Sequence, residues 1–211
     1  MSVLTALVPL AALGLLVFLL AAFAARGRDG ADLSPRPLLR AYLYVGSFAG
    51  VGALAFGLAS LLTAGLALVA GNELVYGAIP EEARIRRTQE LDLQRAQDAL
   101  RGVTFALAGG LFWLAHWLGR NRVAPGDQGS MRRAYALLGA GVFGLAALVL
   151  LPTGISQALS FWLLPATYRP GAGGTLAGGV VAAVVWLLYL RLVLGDLPRG
   201  GARLTLGSAR D

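Results

Sequence analysis

The chain has one histidine, His116, in the apolar run Trp113-Leu114-Ala115-His116-Trp117, where an imidazole could ligate haem, chlorophyll or a metal ion. One histidine cannot build a bis-histidine haem or a multi-histidine metal site within a chain. Phe112 one turn back and Trp113 beside it also crowd the space that a macrocycle needs. The preferred reading of His116 is a belt position at headgroup depth shared with Trp117, or an interhelical hydrogen bond. Tyr42, Tyr44 and Tyr135 lie near Arg40 and Arg133 and could shape a pocket for an anionic lipid or substrate. The same residue types also anchor helix ends in the membrane interface, the rings at headgroup depth and arginine by snorkelling. Arg40, Tyr42, Tyr44, Trp117, Arg133 and Tyr135 are therefore assigned as interfacial anchors.

Other chemistries find no constellation. The chain has no cysteine, which excludes disulfides, thiolate zinc sites and cysteine-ligated iron-sulfur clusters. Hydroxyls such as Ser47, Ser60, Thr63 and Thr104 punctuate the apolar segments, but no acid does, and ion or proton pathways usually keep one. There is no nucleophile and base pair, HExxH or Walker-type loop. Gly171 to Gly174 lacks a following Lys-Ser/Thr and reads as a turn. The expectation is a non-enzymatic protein without metal or cofactor.

The elements that carry these residues are membrane spans. The chain is 57% hydrophobic and 14% charged, against about 25% charged in soluble domains. Its net charge is +7, and all basic residues are arginines placed at the ends of apolar segments, which points to lipid headgroups and not to nucleic acid. Five segments are long enough to cross a bilayer: about Leu4 to Ala25, Ala41 to Ala70, Gly102 to Leu118, Ala134 to Leu151 and Thr175 to Leu194. The first resembles a secretory signal, but no Lys or Arg precedes it and it exceeds the usual h-region, so it is read as a true span. Pro152 should stop or kink the fourth, leaving Ile155 to Leu164 either continuing it or lying in the interface. Pro80-Glu81-Glu82 starts a nearly neutral, solvated helix to about Leu100 that leads into the third span. The fold class is thus an all-α integral membrane protein, a five-helix transmembrane bundle. It divides into an N-terminal helix (1–25), a four-helix membrane domain (26–195) with an extramembrane polar helix at about 80–100, and a flexible tail (196–211).

Orientation follows from the arginines. Four fall in the gap after the first span (Arg26, Arg28, Arg36, Arg40), four in the gap after the third (Arg120, Arg122, Arg132, Arg133) and four toward the C-terminus (Arg191, Arg199, Arg203, Arg210). Positive-inside bias then puts the N-terminus outside and the C-terminus in the cytoplasm of an inner membrane. Small residues supply packing faces: Gly46 and Gly50, Ala53 and Gly57, Ala140 and Gly144 recur at i,i+4 and let backbones approach closely in lipid.

The second and fourth spans begin alike, Arg40-Ala41-Tyr42 and Arg133-Ala134-Tyr135, with Gly46 and Gly139 at the same offset. Trp113-Leu114-Ala115-His116 matches Trp186-Leu187-Leu188-Tyr189 in the third and fifth. This is the pattern of one N-terminal helix plus a parallel duplication of a helix pair. The run from Arg40-Ala41-Tyr42-Leu43-Tyr44 through Leu61-Leu62, with His116-Trp117 and Arg133-Ala134-Tyr135, resembles a family of prokaryotic membrane domains, domain of unknown function 5671, over Arg40 to about Leu194. The resemblance implies a multi-helix membrane fold and carries no catalytic residues; position 137, where a second tyrosine would follow, is Leu137. The functional expectation is an accessory or assembly subunit of a larger membrane complex, acting through helix-helix contacts and meeting lipids and other membrane subunits. The alternative is a small-solute or lipid transporter with its site between the duplicated pairs.

Overall fold

The computed structural model describes residues 35–77, 84–123, 129–165 and 170–195. The expected first span and C-terminal tail lie outside the described residues. Four long helices are long and apolar enough to cross a membrane, and a short fifth joins two of them: α1 Pro35–Ala70, α2 Asn72–Tyr76, α3 Arg84–Val123, α4 Ser130–Leu163 and α5 Gly173–Gly195. Among the described residues there is no strand, only an isolated bridge between Gly77 and Pro170.

Helix α1 tolerates Pro35 and Pro37 because both fall in its first turn, where backbone N–H groups have no intrahelical partner. It ends at Gly71. That glycine (φ 92°) and Gly77 (φ 106°) flank α2 with left-handed backbone, which side chains with a Cβ rarely adopt, and so let the chain turn from α1 toward α3. Helix α3 is one element of 40 residues, about 60 Å long against about 30 Å of hydrocarbon. Its N-terminal portion carries Glu90, Asp92, Arg95, Asp98 and Arg101, and its apolar residues gather in the C-terminal half.

Of the outcomes the sequence left open at Pro152, the helix continues through it to Leu163. Proline removes one hydrogen bond, but inside lipid every other backbone group still needs an internal partner, so the helix resumes. The Thr153 hydroxyl donates to the Val149 carbonyl at 2.7 Å, and that of Ser160 to Ser156 at 2.8 Å. Ile155 to Leu164 is therefore mostly the last turns of α4 and not a separate interfacial piece.

Helix α1 packs along α3 and α4 along α5, and α5 also meets α1. Both pairs are antiparallel: in one, Gly46 faces His116 while Gly57 faces Ala106, and in the other, Gly139 faces Tyr189 while Gly154 faces Leu176. A buried cluster of Tyr44, Ala55, Tyr135, Phe143, Ala146, Ala147, Ala182 and Tyr189 joins the pairs. The α2 segment pins the other end, the Ala172 N–H donating to the Leu74 carbonyl at 2.9 Å.

Candidate functional site

The chemistry-bearing side chains collect at the two ends of the bundle, and glycines set the spacing between. A Cβ on Gly46 would strike the His116 ring and one on Gly57 the Ala106 backbone; one on Gly50 would lie 2.6 Å from the Trp113 nitrogen. In the second pair a Cβ on Gly139 would strike the Tyr189 ring, and one on Gly144 would come within 2.8 Å of the Trp186 indole. Ala53 lies under Gly109, and Ala140 packs against the buried core. The predicted packing residues thus serve contacts inside the chain, whereas Gly52, Gly65 and Gly141 face open space.

The first end is a tyrosine cage beneath a guanidinium. Tyr44, Tyr135 and Tyr189 are only 2%, 7% and 4% exposed. Ring centroids of Tyr44 and Tyr135 are 5.4 Å apart, as are those of Tyr135 and Tyr189. The Tyr189 hydroxyl donates to that of Tyr135 at 2.7 Å, which satisfies a polar atom that burial would otherwise penalise. Arg120, near the C-terminal end of α3, sets its guanidinium carbon 4.8 Å from the Tyr44 centroid and 5.3 Å from that of Tyr135, within cation–π reach of both.

His116 is buried beside this cage, between the Tyr42 ring at 5.3 Å and the Phe112 ring at 4.1 Å. Its Nδ1 lies 2.8 Å from the Phe112 carbonyl. A carbonyl only accepts, so Nδ1 is the donor in this contact, and Nε2 is turned to Gly46. The imidazole is therefore closed in by its own helix and by α1. Among the described residues, no three His, Cys, Asp or Glu side chains gather as a metal site.

The expected anchors divide. Tyr42, Trp117 and Arg133 are exposed and Arg40 is half-buried, whereas Tyr44 and Tyr135 lie inside the bundle. The reason is pairing: each ring has an aromatic neighbour and the Arg120 cation on its face, which interfacial water would not improve. Sequence reasoning missed Arg120 and Tyr189 as members of the cage. Tyr189 could have been found from its alignment with His116, but nothing local links Arg120 to rings 76 residues earlier and 15 later.

The second end is polar. Tyr76 donates to Asp98 and Asn72 to Asp92, each at 3.0 Å, so α2 ties down the charged half of α3. Arg95 pairs with Asp92 at 3.4 Å and Arg101 with Asp98 at 3.3 Å. Burial, and after it the charge and hydrogen bond of Asp98, push the Tyr76 phenol above its ordinary range. Leu91 is buried, with Arg95 and Asp98 partly covered on the same stripe, while Gln89, Leu93 and Gln97 face outward. Farther along, Pro152, Ser156, Ser160 and Leu163 help to line an open groove of about 510 Å³ on the last turns of α4.

Residues 40–188 match the family described as Domain of unknown function (DUF5671), and the chain belongs to this family. No curated protein and no solved structure matches the chain.

Proposed function

We propose that this member of the family is a non-enzymatic subunit of a larger membrane complex and that the extramembrane half of α3 is its contact with a partner. The observation that carries this reading is the braced arm. A helix about twice as long as a bilayer core is tied to α2 through Tyr76–Asp98 and Asn72–Asp92, and it turns Gln89, Leu93 and Gln97 outward. Rigid placement lowers the ordering cost of association, which suits a docking element better than a tether. The small-residue faces hold the pairs together within the chain, so helix-helix contact with another subunit falls to the arm.

In this reading the protein sits in the cytoplasmic membrane of a prokaryote with five spans, the N-terminus outside and the arginine-rich end in the cytoplasm. The four described spans are a parallel duplication of one helix pair. Support comes from the shared Arg-Ala-Tyr starts and from the ring-on-glycine contacts, His116 on Gly46 and Tyr189 on Gly139, at the same offset from those starts. The test is gentle extraction from the native membrane, followed by size analysis and mass spectrometry. A defined complex containing other membrane chains is expected, and a protein that runs alone and binds a small solute overturns the reading.

A further inference from the structure

We propose that the arginine end of the bundle is a binding site for a phosphate group, in the first place the headgroup phosphate of an anionic phospholipid, with Arg120 as principal donor and Arg40 beside it. This site is independent of the proposed subunit role. Arg120 lies over the buried rings of Tyr44 and Tyr135, and the Tyr189–Tyr135 hydroxyl contact at 2.7 Å holds those rings in place. A cation–π contact supplies no oxygen to the guanidinium, whose five N–H donors form the fork that matches two oxygens of a phosphate.

Among the described residues no carboxylate competes for those donors. Glu73, Glu90, Asp92 and Asp98, all the acids in the described segments, belong to the α2 side of the molecule. At the arginine end stand Arg40, Arg120, Arg122, Arg132, Arg133 and Arg191, like charges whose mutual repulsion an anion would relieve. Leu43 lies under Gly119, where an added Cβ would sit 3.0 Å from Cδ2, so the start of α1 adjoins the end of α3. Arg40 precedes Tyr44 by one turn on the same face of α1, and its Nε is buried without a hydrogen-bond partner. A buried unpaired donor on a cation costs free energy, and a phosphate oxygen between Arg40 and Arg120 would remove that cost. Exposed Tyr42 and Trp117 flank this end, a pairing of aromatic and basic residues found at headgroup depth.

The test uses the full chain in nanodiscs of phosphatidylcholine doped with phosphatidylglycerol, with native mass spectrometry of the lipid retained after release. Wild type should retain phosphatidylglycerol over phosphatidylcholine. Arg120→Gln should lower that retention about tenfold, the scale of a lost charge-assisted hydrogen bond, and Arg40→Gln should lower it less, each compared as folded protein. A second arm adds inorganic phosphate. No displacement of phosphatidylglycerol assigns the site to a lipid headgroup, whereas displacement with broadening of the inorganic phosphate phosphorus-31 line in pure phosphatidylcholine discs assigns it to free phosphate. If folded Arg120→Gln retains phosphatidylglycerol as wild type does, the proposal is overturned. Should that variant fail to fold, Arg40→Gln decides by the same criterion.

Discussion

In the α1/α3 pair a ring from the second helix, His116, covers a glycine of the first, Gly46; in the α4/α5 pair Tyr189 covers Gly139. Both glycines stand six residues after the arginine of an Arg-Ala-Tyr start. The backbone problem is the same, two helices in lipid drawn close by removing a Cβ, but the rings use the contact differently. His116 is satisfied within its own helix by the Phe112 carbonyl, so its seat is closed. Tyr189 sends its hydroxyl to Tyr135 and, through the stack of Tyr135, Tyr44 and Arg120, ties the second pair to the first. The pairs differ again at the far end, where α3 runs on as a charged arm while α5 begins at Gly173. A shared close approach thus leaves each pair free to differ at its ends, one as a core for the whole bundle and the other as an arm beyond it.

The largest disturbance of this common design should come where a glycine faces backbone. Gly57→Leu would drive a side chain into the Ala106 main chain, which cannot rotate away, and should cost about 3 kcal/mol or more; Gly50→Leu, against Trp113, should be close behind. The midpoint of thermal unfolding in detergent measures both. Glycines that face rings should be cheaper and should separate the two pairs. Gly139→Ala must displace Tyr189 and with it the hydroxyl contact to Tyr135, whereas Gly46→Ala displaces a ring held only to its own helix. The first should cost about 2 kcal/mol and the second about 1 kcal/mol, and equal effects in the same unfolding assay would erase the distinction drawn between the seats.

A smaller effect is expected from Tyr189→Phe, which keeps the ring on Gly139 and deletes only the hydroxyl. Its cost should be about 1 kcal/mol, one buried hydrogen bond, visible as a modest fall in the unfolding midpoint. Smallest in global stability is Tyr76→Phe, which releases the arm from α2 while leaving the spans intact. Hydrogen exchange should quicken in residues 88–100 and not in the rest of α3. The pH dependence has a definite sign. Tyr76 has a folded pKa raised above its unfolded value of about 10, so its contribution is fully present below about pH 10 and is lost as pH rises through the folded value. Exchange in the arm should therefore not change through this group between neutral pH and about pH 9 and should quicken at higher alkalinity.

Much of this architecture was legible because lipid imposes one rule along the chain: apolar stretches of span length become helices. The four described spans lie where hydropathy placed them, and the three-residue spacing of opposite charges such as Asp92 and Arg95 is itself a helical signal. Two boundaries were not legible. At Pro152 the sequence left a stop, a kink and a continued helix open, and what carries α4 past it is the demand of its neighbours for backbone partners. The five residues of α2 are too short for any periodicity, though Gly71 and Gly77 at their flanks are a usable signal. Of the candidate site, the glycine contacts could be anticipated from i,i+4 spacing, but which partner each glycine meets could not. Tyr44, Tyr135 and Arg120 looked like separate interfacial residues because aromatic and basic side chains at span ends are ordinary. Only the packing of α1 against both α3 and α4 makes them one cage.

The two pairs differ most at the arm, and a photo-crosslinking amino acid tests its role in the native membrane. Placed at Leu93, on the outward face of the arm, it should give one discrete adduct with another membrane protein, and that adduct should weaken when Tyr76→Phe loosens the brace. Placed at Leu148 or Val184, exposed positions on the apolar faces of the second pair, it should give lipid adducts alone. A Leu93 probe that captures nothing, or the same set of proteins as Leu148, contradicts the assignment of the arm as the partner contact.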